Sequence, residues 1–95
     1  MPYDPKADPH AGKTPSAATF GRKGIVVTPN DSTDLSVYAK AVVVLSGGNL
    51  VILPVENGDG ATVTFTSLTA GQVVPFQVRR VLATGTTATV AAVIG

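Results

Sequence analysis

From residue 28 onward the chain is interrupted at short, regular intervals by turn-forming clusters: NDS (30–32), SGGN (46–49), ENGDG (56–60), TAGQ (69–72) and TGT (84–86). The pieces between them are short and rich in valine, isoleucine, leucine and threonine, and they carry almost no helical periodicity. Short β-branched runs separated by Gly, Asn, Asp and Ser read as strands joined by tight turns. The predicted strands cover 24–29, 38–45, 50–55, 61–68, 73–82 and 87–94, with Pro29 stopping the first. Segment 30–37, NDSTDLSV, is set aside as turns or a single helical turn, because its side chains bond readily to nearby backbone. The expectation is an all-β fold, a small antiparallel β-sandwich or jelly-roll-like module of about six to eight short strands.

The alternation along these strands decides which faces need cover. In ATVTFTSL (61–68), Ala61, Val63 and Phe65 are expected inward, with Thr62, Thr64 and Thr66 outward. The run from 41 to 55 does not alternate. AVVVL and LVILPV are apolar on both faces, so a hairpin built from them needs cover on both sides. One side is the domain's own core. The other is expected to meet either the folded-over N-terminal arm or a neighbouring subunit.

Size sharpens that choice. The first 24 residues hold four prolines and six charged side chains, and read as an extended, partly disordered arm. Residues 25–95 are left to form the sandwich domain. A core of that size gives only about 3–5 kcal/mol without a staple. The chain has no cysteine, so no disulfide supplies one. Self-association is the expected remedy, and the chain is read as a homo-oligomer.

Most chemical functions lack their residues. The one histidine, His10, lies in the arm, and with no cysteine no nucleophile–base arrangement suggests itself. The carboxylate pairs Asp31/Asp34 and Glu56/Asp59 each sit within one turn, where capping is the expected role. No enzyme, cofactor or metal site is expected; ENGDG lacks the ligand spacing of a calcium loop. Asn30-Asp31-Ser32 matches a glycosylation sequon, but nothing upstream resembles a secretion signal. A net charge of +1 with 14% charged residues argues against nucleic acid as a partner. No apolar run is long enough for a membrane span. A carbohydrate-binding sandwich is a weaker alternative, since the chain has two tyrosines and no tryptophan.

One local oddity stands out in PFQVRRVLATGTTATV (75–90). Arg79 and Arg80 are adjacent in a strand, so strict alternation puts one of them on the face of Phe76, Val78 and Leu82. Arg80, sharing that face with Val78 and Leu82, is expected to matter more to assembly than Arg79. Two readings stay open: one arginine is solvated and the other snorkels or sits at a bulge, or one pairs with a carboxylate across a subunit boundary.

The order of these pieces resembles the spike-base family of phage-like gene transfer agents and related tailed phages. The resemblance rests on TPNDSTDL (28–35), SGGNL (46–50), GDGATVTFTSLTAG (58–71) and above all VVPFQVRRVLATGTTAT (73–89). It implies a non-enzymatic virion structural protein that forms an oligomer, with a pentamer favoured, on the capsid exterior at a vertex. Its partners there would be the major capsid protein and a spike or fibre protein, and it would be made in the bacterial host cytoplasm. A capsid decoration or cement protein spread over capsomers is the alternative. The candidate subunit or partner interface residues are Asp31, Asp34, Tyr38, Arg79 and Arg80.

Overall fold

The computed structural model describes residues 3–13 and 20–95. Among the described residues, seven strands form two antiparallel sheets. β1 (Lys23–Val26), β7 (Thr89–Ile94), β2 (Ala41–Ser46) and β5 (Val73–Val74) make the first sheet in the order β1-β7-β2-β5. β4 (Val63–Leu68), β3 (Gly48–Pro54) and β6 (Val78–Val81) make the second, in the order β4-β3-β6. This is the small β-sandwich that the spacing of turn signals predicts.

Three local departures shape it. The run 41–55 is not a hairpin, because β2 and β3 lie in different sheets. Gly47 and Gly48 make the crossing. A Cβ on Gly47 would stand 2.7 Å from the Leu68 carbonyl oxygen, and Gly48, at φ +151°, would place one 2.6 Å from Thr87 Oγ1. Only glycine lets the chain pass that close to its neighbours while turning the corner.

The expected long strand 73–82 is broken in the same manner. Pro75 has no N–H for a ladder, and the chain leaves the first sheet after Val74 to enter the second at Val78. A bridge from Ala39 to Val78 ties the two sheets at that corner. In β4 the alternation holds for Val63 and Phe65, which pack on the core, and for exposed Thr64 and Thr66. Ala61, expected inward, is exposed ahead of the strand. Ser67, at φ +55°, and an adjacent register shift return Leu68 to the core.

The core lies between the sheets and is aliphatic: Val42, Val44, Leu50, Ile52, Val74, Val78, Val81, Val90 and Ala92 are all buried. Among the described residues no polar or charged side chain is buried with them. On the opposite face of β3, Val51 and Leu53 are buried too. Their cover comes from this chain. The Thr86 hydroxyl accepts from the Val51 N–H at 3.0 Å, Gly85 lies against Val51, and Arg80 stands opposite Leu53 in the ladder. Neither the arm nor a neighbouring subunit is needed on that face.

The arm falls partly outside the described residues. Within 3–13 it makes a 3-10 turn, Pro5–Ala7, capped by Asp4. It is fastened to the start of β1 by Asp8, which accepts from both Arg22 and the Tyr3 hydroxyl.

Candidate functional site

The two adjacent arginines owe their geometry to a slip in the β3–β6 ladder. Ile52 pairs with Val81 and Leu53 with Arg80, but Pro54 pairs with Val78, leaving Arg79 as an extra residue. Pro54 offers no N–H, and the next donor, Val55 N, reaches the Gln77 carbonyl at 3.0 Å. A bulge of this kind reverses the local facing. Val78 and Val81 therefore both enter the core, while Arg79 and Arg80 both leave it on the outer side. Arg80 does not share a face with Val78, and Leu82 is only half-buried beyond the strand end.

Both guanidinium groups converge on Asp34. Arg79 Nη1 donates to Asp34 Oδ2 at 2.9 Å and Oδ1 at 3.1 Å, and Arg80 Nε donates to Oδ1 at 2.7 Å. Arg79 Nη2 also donates to the Asn57 carbonyl and to Asp59 Oδ1, each at 2.8 Å. Arg80 Nη1 reaches the Asp31 carbonyl at 3.3 Å. The two side chains are only 13% and 11% exposed, so these charge-assisted bonds are largely sheltered from solvent.

The 30–38 segment is laid along β6 by the backbone. Asn30 N donates to the Val81 carbonyl, Leu35 N to that of Arg79, and Ala39 N to that of Val78. The Asn30 side chain closes the turn by accepting from the Ser32 and Thr33 N–H groups. Asp31 then accepts from Thr84 N at 2.8 Å and Thr84 Oγ1 at 2.7 Å. Tyr38, half exposed, has its hydroxyl 3.5 Å from Asp34 Oδ2. All five residues singled out in the sequence thus lie in one cluster. Within this chain, the carboxylates that meet the arginines are its own.

Electrostatics follow from this geometry. Burial pushes the Asp34 carboxyl up, but the hydrogen bonds and charges of Arg79 and Arg80 outweigh it and hold the group below the ordinary carboxylate value. Asp31 is lowered by the Thr84 N–H and then by its hydroxyl. Arg79 is raised by Asp59 and Asp34. In this cluster Arg79 and Arg80 are matched by Asp34 and Asp59, while Asp31 is held by the Thr84 N–H and hydroxyl instead of a cation. The cluster fastens one loop (30–38) and one turn (56–60) to the outer surface of β6, leaving Asp59 and Tyr38 at the rim.

Asn57, Asp59 and Thr84 complete the cluster and were not among the interface candidates; Asp59, paired with Glu56 as a capping carboxylate in the sequence, instead accepts from Arg79. Asp59 and Asn57 read there as turn residues of ENGDG, and no local pattern ties a turn to an arginine twenty residues away. Among the described residues, no group of three or more His, Cys, Asp or Glu side chains is arranged to hold a metal ion.

No family model matches the chain, and no curated protein matches it. Among solved structures, it is similar to a chain from the capsid of a native gene-transfer-agent (GTA) particle computed with C5 symmetry. The identity is 38%, the TM-score is 0.78, and the match covers 90% of this chain and 98% of that one.

Proposed function

Because the chain belongs to the same family as that gene-transfer-agent capsid protein, we propose that it is a non-enzymatic structural protein of a phage-type particle. In this reading it forms an oligomeric head spike base on the exterior of the capsid at its vertices. There it contacts the major capsid protein and anchors a spike or fibre protein. The observation that carries the reading is the similarity over nearly the whole of a chain that comes from a C5-symmetric capsid reconstruction. The C5 symmetry belongs to that capsid as a whole; the ring of five is our reading, as the closed cyclic assembly that suits a fivefold vertex.

The fold is consistent with such a role. Its core is small and wholly aliphatic, and its arginine–aspartate cluster serves to hold loops in place. The test is the number of copies per particle, measured by quantitative mass spectrometry against the major capsid protein. A base restricted to the vertices is present in far fewer copies than the major capsid protein. A copy number near that of the major capsid protein would overturn the vertex reading in favour of a decoration protein spread over capsomers.

A further inference from the structure

The outer face of the four-stranded sheet is apolar from one edge to the other. Val26, Ala91, Val43 and Val73 form one row across β1, β7, β2 and β5, and Gly24, Val93 and Ala41 form the next. No charged side chain stands in either row. The two edges of this sheet differ. Along β1 every residue is exposed, and beside it runs a groove of about 150 Å3 lined by Ile25, Val26, Leu35, Val37, Ala92 and Ile94. At the other edge, Val73 and Leu45 project, 60% and 48% exposed. One edge carries a groove, and the other carries exposed apolar side chains on β5 and at the end of β2.

Area decides how such a surface is used. Two to six residues on each of four strands present roughly 300 Å2 on one face, from strand spacing and rise. A stable contact between two proteins buries about 800 Å2 on each partner. Face-to-face pairing of two copies about a twofold axis is therefore too small, and the edges with their groove have to contribute. An open β1 edge flanked by exposed Ile25 and Val26 is also a site that a solitary protein would blunt.

We propose that these two edges are the two halves of a head-to-tail contact between copies of this chain. Val73 and Leu45 of one copy seat against the β1 groove of the next, around Val26 and Val37. Unlike surfaces on opposite edges of one sheet propagate in one direction, and they close into a ring when the rotation between successive copies is a whole fraction of a turn. The inference rests on the ring reading above and assigns its surface.

Full-length protein is followed by analytical ultracentrifugation, with circular dichroism to verify folding. Wild type is expected as a multimer, Val26→Lys and Val73→Lys as folded monomers, and Thr64→Lys, on exposed β4, as a multimer. Because each variant keeps one intact edge, an equimolar mixture of the two monomers is expected to form dimers and stop there. Val26→Ser and Val73→Ser repeat the measurement without an added charge. Folded Val26 and Val73 variants that still assemble would overturn this surface and leave the ring reading standing. A mixture that stays monomeric would overturn the head-to-tail arrangement. A wild type that stays monomeric at high concentration would overturn both readings.

Discussion

Asp34 accepts from both arginines, yet the two do not depend on it equally. Arg79 has other partners in the Asn57 carbonyl and Asp59, so its fork joins the 30–38 loop to the 56–60 turn. Arg80 contributes one short bond to Asp34, a longer one to the Asp31 carbonyl, and only a 3.8 Å ion pair to Asp59. Removing Arg79 should therefore break the hydrogen bonds to both segments, whereas removing Arg80 breaks those to the 30–38 loop and only a long ion pair to the turn. Arg79→Ala is expected to lower the melting temperature more than Arg80→Ala, as read by differential scanning calorimetry. The same cluster sets a pH dependence. Asp31 and Asp34 are held below their unfolded value, so their contribution is fully present above the ordinary carboxylate range, about pH 4–5. It is lost as pH falls through the lowered folded values. The melting temperature should be flat from neutral pH to about pH 5 and drop below pH 4, with a shallower drop in Asp34→Asn.

At the scale of elements, the strands were legible in the sequence and their partners were not. Threonine alternating with Val63 and Phe65 marks a strand with one wet face, and β4 is such a strand. The doubly apolar LVILPV marks a strand covered twice, and β3 is buried on both faces. What periodicity does not carry is the direction of a crossing. SGGN reads equally as a hairpin loop or as an arch between sheets, and the choice is made by how closely Gly47 and Gly48 pass Leu68 and Thr87. The arginine step hid for a similar reason, since a bulge opposite Pro54 depends on the partner strand and not on β6 itself. The candidate cluster was therefore visible as a set of residues but not as a set of bonds. The crossing yields a sharp prediction. Gly48→Ala combines an unfavourable φ with a clash and should cost about 1–3 kcal/mol. Gly58→Ala, with nothing within 4 Å of its Cβ, should change stability by less than about 0.5 kcal/mol. Urea denaturation of the two variants checks the difference.

For the molecule as a whole, the two sheets differ in how completely this chain covers them. The outer side of the three-stranded sheet is closed over β3 and β6 by loops 30–38 and 83–87 and by paired charges. That of the four-stranded sheet is apolar and only partly covered, by Gly21 lying against Val93, with Val26, Leu45 and Val73 each about half exposed or more. A domain this small gains little from enlarging its own core, and the remaining aliphatic surface gains most by being covered by another copy. If that is where its stability comes from, unfolding and dissociation are linked. An assembly that binds only the folded chain raises its apparent stability with concentration, following RT ln(1 + [L]/Kd). The melting temperature of wild type should therefore rise steadily across a hundredfold increase in protein concentration, since each hundredfold excess over Kd is worth about 2.7 kcal/mol. Val73→Lys, confined to a monomer, should melt at one temperature throughout, near that of wild type at its most dilute. Parallel curves that both rise would place the linkage elsewhere on the surface. A wild-type curve as flat as the variant's would mean that the exposed sheet contributes nothing to stability through self-association.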